Sequence, residues 1–266
     1  MLKVENLKKY FPVERGVFRR VVDYVRAVDG ISFEIKKGEI FALVGESGCG
    51  KTTTAKLIVR LLEATDGRIF FNGKDISLLG RRELARKIQI IFQDPFASLN
   101  PRLTIGTIVG EAVRHRLEAA GEKIGIKGTA EKTKELLNRV GLPVNILNEY
   151  PHQFSGGQRQ RIGIARALAM QPELIVADEP VSSLDISVQA QILNLLLDLR
   201  DSLGLSYILI AHDLNVVRFL SDRVAVMYQG KIVETGSVKM VYDNPHHPYT
   251  KRLLEAIPTL ETRLSE

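Results

Sequence analysis

The feature that most constrains the fold of this chain is a glycine-rich octapeptide, Gly45-Glu46-Ser47-Gly48-Cys49-Gly50-Lys51-Thr52. It matches the pattern G-x-x-x-x-G-K-[ST] in full. The apolar run Ile40–Val44 precedes it and the helix-compatible stretch Thr53–Leu62 follows it. A strand, a tight loop and a helix in this order are what a phosphate-binding loop requires. The sequence therefore predicts an α/β fold with a phosphate site where this helix begins.

The residue types of the octapeptide suit phosphate chemistry. Glycines allow successive backbone N–H groups to point inward, and the helix N-terminus adds partial positive charge. Lys51 is expected to bring a full charge to the β- and γ-phosphates, and the Thr52 hydroxyl to bind Mg²⁺. Cys49 lies near the helix N-terminus, a position that can lower a thiol pKa. The alternative for Cys49 is a small residue that fills the loop.

Composition limits the class of protein. The chain has 266 residues, of which 45% are hydrophobic, so it can bury a large core. No apolar run approaches the ~20 residues that span a bilayer, and Met1–Tyr10 is not expected to be a secretory signal. A single cysteine excludes an internal disulfide framework and an all-cysteine metal site.

The formal net charge of +6 has three interpretations: a nucleic-acid surface, an anionic membrane surface or an ordinary solvated face. The scatter of the basic residues favours the solvated face, and no nucleic-acid-binding motif accompanies them. One local cluster consists of Arg15, Arg19, Arg20 and Arg26, in a stretch after Pro12 that is predicted to be a turn-rich insertion. Proximity to lipid headgroups is the alternative for this cluster.

Apolar periodicity predicts alternating strands and helices. Strands are predicted at Leu2–Leu7, Ala27–Ile35, Glu39–Val44, Arg68–Phe71, Lys74–Ile76, Lys87–Phe92, Leu174–Ala177, Ser206–Ala211, Arg223–Tyr228 and Lys231–Glu234. Helices are predicted at Ile108–Ala120, Ala130–Val140, Gln158–Met170, Val188–Leu203, Leu214–Leu220 and His247–Ile257. The pattern indicates an α/β core with a mostly parallel sheet, an antiparallel β subdomain near the N-terminus and an inserted helical subdomain at about 104–170.

Two further motifs carry chemistry. The apolar strand Leu174–Ala177 leads into Asp178, which suits a Mg²⁺ ligand, and Glu179, which suits a general base. The alternative is a pair of solvated charges. Phe154-Ser155-Gly156-Gly157-Gln158 opens a helix and is a second small-residue N-terminus able to bind anions. Here the alternative is an ordinary serine cap followed by glycines.

Three weaker signals follow predicted strands or the acidic pair. Gln93 follows Lys87–Phe92, and its amide has both an acceptor for Mg²⁺ and donors for water. Ser182-Ser183-Leu184-Asp185 lies just past the Asp–Glu pair, and His212 ends a predicted strand, where ligands of α/β sheets bind. Each of these alone is more often structural.

The order of these motifs resembles the ATP-binding subunit of an ABC transporter. Gly45–Thr52 resembles the Walker A motif, Gln93 the Q-loop, and Phe154–Gln158 the signature motif with Phe in place of the usual Leu. Leu174–Glu179 resembles Walker B with the catalytic glutamate, Ser183–Asp185 the D-loop, and His212 the switch histidine. The resemblance covers nearly the whole chain and implies a P-loop NTPase core.

The resemblance implies that two such subunits, identical or homologous, sandwich two ATP molecules head to tail. The catalytic residues are expected to be Glu179, His212, Gln93 and Lys51. Adenine is expected to stack on Phe11 in preference to Tyr10. The rest of the site on this chain would be Gly45, Glu46, Ser47, Gly48, Cys49, Gly50, Lys51, Thr52, Thr53, Gln93 and Asp178, with Mg²⁺ on Thr52, Gln93 and Asp178. The partner's ATP would meet Ser155, Gly156, Gly157, Gln158 and Asp185.

Other segments resemble the ATPases of oligopeptide, dipeptide and nickel importers. These segments are Gln93–Arg102, Asn244–Thr250 and the basic stretch before Val25–Gly30. The implied function is ATP hydrolysis that drives import of di- or oligopeptides, with nickel or oligosaccharides as alternative cargoes. An ATPase domain at 1–236 and a short helical tail at 237–266 are expected. Many relatives carry a cysteine cluster after the tail motif, which this sequence lacks, so no iron–sulfur cluster is expected.

The implied partners are two integral-membrane permease subunits and, indirectly, a substrate-binding protein, with no nucleic acid. The implied location is peripheral, on the cytoplasmic face of the cell membrane. A soluble ABC ATPase of DNA repair or translation is an alternative, but zinc cysteines, coiled-coil insertions and a second ATPase half are not visible. A regulatory module without turnover is another alternative, disfavoured by the presence of both Glu179 and His212.

Overall fold

A computed structural model describes residues 1–15, 20–122 and 125–256. The chain forms two compact units, one of residues 1–79 with 208–266 and one of residues 80–207. The strands are β1 Leu2–Arg15, β2 Arg20–Ile35, β3 Ile40–Val44, β4 Asp66–Phe71, β5 Lys74–Asp75, β6 Ile88–Ile91, β7 Leu174–Asp178, β8 Ser206–Ala211, β9 Arg223–Tyr228 and β10 Lys231–Ser237. The α-helices are α1 Lys51–Ile58, α2 Arg81–Lys87, α3 Pro95–Ser98, α4 Ile105–Ala119, α5 Ile126–Arg139, α6 Gly156–Ala169, α7 Ile186–Leu203, α8 Leu214–Leu220, α9 Val238–Asp243 and α10 Pro248–Glu255.

The first unit contains an antiparallel sheet with the strand order β2-β1-β4-β5. Its β4–β5 hairpin turns at Asn72-Gly73, with φ of 49° and 78°, the left-handed pair that favours Asn-Gly in a two-residue hairpin. On β1, Leu2, Val4 and Leu7 are buried. The predicted antiparallel subdomain is confirmed.

Where the sequence predicted a turn-rich insertion after Pro12, the described residues 13–15 and 20–25 are strand, and residues 16–19 lie outside the described residues. Pro12 pairs with Tyr24 and Val13 with Asp23 in the long β1–β2 hairpin. Pairing of β1 with β4 ends at Lys8, so beyond it the missing N–H of Pro12 removes no hydrogen bond on that side. The β-branched and aromatic residues of β2 favour extension. Arg15, Arg20 and Arg26 are exposed on this hairpin, and Arg19 lies outside the described residues.

The remaining strands of the first unit place the phosphate loop. Their order is β10-β9-β3-β8, with β3 parallel to β9 and β10 antiparallel to β9. All five residues of β3 are buried, so its sequence is a continuous apolar run, as expected of a strand covered on both faces. The loop from Gly45 leaves the carboxyl end of β3, where ligands of parallel sheets bind.

The second unit combines a parallel strand pair, β6 and β7, with the predicted helices. Helix α4 buries Ile105, Val109, Val113 and Leu117, one side of a 3.6-residue period, and packs on α5 and α6. The mostly parallel α/β core with a helical insertion is therefore confirmed, whereas the domain bounds remain predictions. Helices α2, α3 and α9 are additions that the sequence pattern did not predict. The predicted C-terminal helix ends at Glu255, and Ile257 lies outside the described residues.

In the part of the chain that the structure describes, no helix is long and apolar enough to cross a membrane.

Candidate nucleotide-binding site

Steric contacts require glycine at two positions of the phosphate loop, Gly45 at its start and Gly50 near its end. Gly45 has φ 151° and Gly50 has φ 111°, both in the left-handed region. A Cβ on Gly45 would lie 2.2 Å from the Met227 carbonyl oxygen, and a Cβ on Gly50 would lie 2.1 Å from the Ala27 carbonyl oxygen. Backbone atoms of β9 and β2 thus press on the loop, and only glycine fits at these two positions.

Lys51, at the start of α1, is only 5% exposed. Its Nζ donates hydrogen bonds to the carbonyl oxygens of Gly45 at 2.7 Å and Glu46 at 2.8 Å. A buried ammonium requires such partners. Because these acceptors are carbonyl dipoles, the positive charge of Lys51 remains available to attract an anion at the loop.

The Cys49 thiol is buried beside Lys51, with 3.8 Å between Sγ and the Lys51 Nζ. Burial raises the pKa of Cys49, and the nearby Lys51 charge opposes that rise only in part. The sequence left two interpretations of Cys49 open, a thiol with a lowered pKa and a small residue that fills the loop. The raised pKa favours the second, because desolvation outweighs the nearby charge. Cys49 acts as the small residue that fills the loop.

The two aromatic candidates for adenine stacking lie in different environments. Tyr10 Oη donates to Asp29 Oδ1 at 2.5 Å, a bond that raises the pKa of Tyr10, and the Arg26 guanidinium lies 5.6 Å from its ring centre. Phe11 is 36% exposed. Each of the two rings has a cation nearby, since Lys9 Nζ lies 5.1 Å from the centre of the Phe11 ring. The preference for Phe11 stays a prediction.

In the second unit, two candidate residues 86 positions apart meet through a hydrogen bond. Gln93 Nε2 donates to Glu179 Oε2 at 2.9 Å. Asp178 ends the buried strand β7 and is 4% exposed. Glu179 follows with φ 47°, a left-handed conformation that costs a residue with a Cβ about 1–2 kcal/mol. Such strain is found at functional sites.

The signature segment begins α6 with a capping box. Ser155 Oγ accepts from the Gln158 N–H at 3.4 Å, and Gln158 Oε1 accepts from the Ser155 N–H at 3.0 Å. The serine cap that the sequence analysis gave as an alternative is therefore present. Ser155 and Gln158 are nevertheless exposed. Asp185 is exposed at the N-cap position of α7.

His212 is placed in the first unit, immediately after β8, and is exposed. The next residue, Asp213, caps α8 by accepting a hydrogen bond from the Asn215 N–H at 2.8 Å. The predicted position of His212, at the carboxyl end of a buried strand, is confirmed, and its catalytic role remains a prediction.

Two family profiles match the chain: "ABC transporter" over residues 28–182 and "Oligopeptide/dipeptide transporter, C-terminal region" over residues 233–266. The chain belongs to the ABC transporter family. It is 51% identical to the oligopeptide transport ATP-binding protein AppF of Bacillus subtilis, covering 99% of this chain and 80% of that protein. It is 46% identical to the dipeptide transport ATP-binding protein DppF of Haemophilus influenzae, with the same coverage.

A solved structure of the ATP-binding cassette MJ0796, a dimer in a post-hydrolysis state bound to ADP and Pi, has the same fold. Its TM-score is 0.77 at 29% sequence identity, over 90% of this chain and 99% of that one. The P-loop NTPase fold predicted from the sequence is thereby confirmed, and with it a nucleotide-binding fold.

The three residues predicted to hold Mg²⁺ all carry oxygen donors. Thr52 has a hydroxyl, Asp178 a carboxylate, and Gln93 an amide oxygen, since its Nε2 is the atom bound to Glu179. Hard oxygen donors of this kind fit Mg²⁺. Within residues 1–15, 20–122 and 125–256 no cluster of three or more His, Cys, Asp or Glu side chains could hold a metal by itself.

One contact of the phosphate loop was missed from the sequence. Tyr249, in the tail segment that indicated the importer group, accepts a hydrogen bond on its Oη from the Glu46 backbone N–H at 2.9 Å. More than 200 residues separate the two positions, and no periodicity or motif rule joins a tail tyrosine to a glycine-rich loop. Tyr249 also contacts Tyr228 at the end of β9, the strand that pairs with β3, from which the loop leaves.

Proposed function

We propose that this chain is the ATP-binding and ATP-hydrolysing subunit of an importer for di- or oligopeptides. The observation that carries the proposal is the phosphate loop, in which enforced glycines and a buried Lys51 form an anion site at the start of α1. The peptide cargo is supported by the match over residues 233–266 and by the printed names of relatives near 50% identity. Nickel and oligosaccharides are the alternative cargoes, which the ATPase itself does not touch.

In this proposal, the loop N–H groups and Lys51 hold the β- and γ-phosphates, and Phe11 stacks on adenine. Thr52, Gln93 and Asp178 would hold Mg²⁺, which neutralises phosphate charge when bound. Glu179 takes a proton from the attacking water. The hydrogen bond from Gln93 orients the Glu179 carboxylate, so Gln93 can couple occupation of the site to the position of this base.

His212 steadies the γ-phosphate in the same proposal. A second ATPase subunit receives Ser155, Gly156, Gly157, Gln158 and Asp185 at its own ATP, in the head-to-tail arrangement of the family. The exposure of Ser155, Gln158 and Asp185 and the dimer seen for MJ0796 support this. Two integral-membrane permeases and a substrate-binding protein complete the transporter, and the subunit lies at the cytoplasmic face of the membrane.

The test compares ATP hydrolysis by the wild type and by Glu179→Gln. Loss of a general base is expected to reduce turnover about 10²–10⁴-fold while ATP binding is kept. Glu135→Gln, on the exposed side of α5, is the matched control and should hydrolyse ATP normally. Hydrolysis by Glu179→Gln at the control rate would contradict the role of Glu179.

Binding of ATP tests the loop separately. Lys51→Ala should weaken ATP binding, and unchanged affinity would contradict the assignment of the loop. Sedimentation of Glu179→Gln with and without ATP then identifies the partner. A dimer that forms only with ATP means that one chain supplies both halves of each site, whereas a monomer that binds ATP means that the second ATPase subunit is a different protein.

A further inference from the structure

The tail tyrosine binds a backbone group of the phosphate loop itself. Tyr249 is 3% exposed, and its ring centre lies 4.2 Å from that of Tyr228 on β9. Its hydroxyl oxygen accepts the hydrogen bond from the Glu46 N–H. Burial raises the pKa of Tyr249, so the hydroxyl remains neutral at pH 7.

The peptide unit that Tyr249 contacts is the one that holds Lys51. The Glu46 N–H and the Gly45 C=O belong to one planar amide. Tyr249 Oη binds its N–H at 2.9 Å, and Lys51 Nζ binds its C=O at 2.7 Å. A rotation of this amide that displaced the hydroxyl would also move the carbonyl away from the ammonium. The orientation of the lysine is therefore linked to the tail through one rigid group.

The tail is in turn held by β10. The two carboxylate oxygens of Glu234 accept hydrogen bonds from the backbone N–H groups of His246 at 2.9 Å and His247 at 3.0 Å. His247 is the N-cap of α10, and its Nδ1 accepts from the Tyr249 N–H at 3.1 Å. Pro248 at the first helical position restricts φ. These bonds fix the backbone that leads into the tyrosine, so its hydroxyl is held at a defined place.

We propose that Tyr249 is a positioning residue for nucleotide binding. The segment from His246 to Tyr249 acts as a brace that sets the Gly45–Glu46 amide and, through it, the Lys51 ammonium. This inference rests on the proposed function, because it concerns how the same loop binds phosphate. Its consequence is that the tail tunes ATP affinity without touching ATP.

The experiment compares Tyr249→Phe with Tyr242→Phe in the full-length chain. Tyr242 Oη also makes one bond to the backbone in the same unit, donating to the Leu214 carbonyl oxygen at 2.6 Å, but it does not bind the loop. Each variant loses one partly buried hydrogen bond of a hydroxyl group. Titration calorimetry gives the ATP affinity, thermal unfolding without nucleotide gives the stability, and steady-state hydrolysis gives KM and kcat.

The expected result is specific to one variant. Tyr249→Phe should weaken ATP binding and raise KM about three- to tenfold, the size of one hydrogen bond, with kcat little changed. Tyr242→Phe should lower the unfolding temperature by about as much as Tyr249→Phe does, because each loses one hydrogen bond, and should leave ATP affinity unchanged. The proposal would be overturned by equal ATP affinities of Tyr249→Phe and the wild type. It would also be overturned if both variants lost the same ATP affinity.

A second variant tests the brace from its other end and covers the case in which Tyr249→Phe folds poorly. Glu234→Gln replaces one accepting oxygen by a donor, so one tail bond is lost while the loop is untouched. A smaller loss of ATP affinity in the same direction is expected, and an unchanged affinity would refute a brace. Failure of the wild type to bind ATP would contradict the proposed function itself, which separates the two failures.

Discussion

Gly157, at the start of α6, offers a quantitative test of how the signature segment packs. A Cβ at this position would lie 2.4 Å from Val188 Cγ1 on α7. Ordinary carbon contacts are about 3.5–4.0 Å, so the added methyl would be more than 1 Å too close. Valine has few χ1 rotamers available in a helix, so its side chain cannot turn aside freely. Relief of the clash therefore requires the two helices to separate.

The magnitude follows from two opposing contributions. Overpacking of this kind costs about 1–3 kcal/mol. Replacing glycine by alanine in a helix gains about 0.5–1 kcal/mol. Gly163→Ala isolates the second contribution, because among the described residues no side chain or neighbouring element lies within 4 Å of a Cβ at that position of α6. Gly163→Ala is therefore expected to stabilise, and Gly157→Ala to be about 1–3 kcal/mol less stable than it.

Urea denaturation of both variants measures this difference, with an unchanged m-value indicating that the same transition is compared. Val188→Ala removes the clashing methyl, so combined with Gly157→Ala it should recover part of the loss, a favourable coupling on the order of 1 kcal/mol. Equal stability of the two alanine variants, or strictly additive effects of Gly157→Ala and Val188→Ala, would refute the packing argument.

Three further outcomes are expected. Gly50→Ala, whose Cβ would meet the Ala27 carbonyl oxygen, should lose ATP affinity in calorimetry. Gly38→Ala should keep it, because a Cβ at this position, also at positive φ, would meet no described atom within 4 Å beyond its chain neighbours. Ser155→Ala should lower the free energy of unfolding by about 1 kcal/mol in urea, since it breaks the capping box. Partial burial opposes ionisation of Glu234, but hydrogen bonds from the tail outweigh it and hold its pKa below 4.5. Its stabilisation is thus complete above that pH and lost as the pH falls through the folded pKa, so the stability difference between wild type and Glu234→Gln should shrink in acid.

The sequence predicted the core of the fold because its signals are local. β8, α8 and β9 begin and end at the predicted residues, since each is a compact apolar segment with clear boundaries. The hairpin after Pro12 was missed because a proline and several arginines are typical of a loop. Among the described residues, β1 beyond Lys8 pairs with β2 alone, so a proline is tolerated there. That tolerance is a property of the sheet and not of the segment.

In the candidate site, too, local features could be predicted from the sequence and contacts between distant segments could not. The glycines at positions 45 and 50 were identified from the motif, but their necessity comes from the Met227 and Ala27 carbonyl oxygens, which no local pattern reveals. The sequence left the pKa of Cys49 open, because it shows the helix start and the nearby lysine but not the burial of the thiol, which raises that pKa. Local chemistry is readable from the sequence, whereas desolvation and contacts between distant segments are not.

Glu179 is constrained both by its local backbone conformation and by a contact with a distant residue. Its left-handed φ of 47° would suit glycine or asparagine better than glutamate, so the backbone here does not favour the residue that occupies it. The strain is held by local bonds, because the Ser182 N–H and hydroxyl both donate to the Glu179 carbonyl oxygen, at 3.3 and 3.2 Å. The side chain meanwhile accepts the Gln93 amide. A carboxylate on an unfavourable backbone that is also bound by a distant amide supports the general base proposed for Glu179.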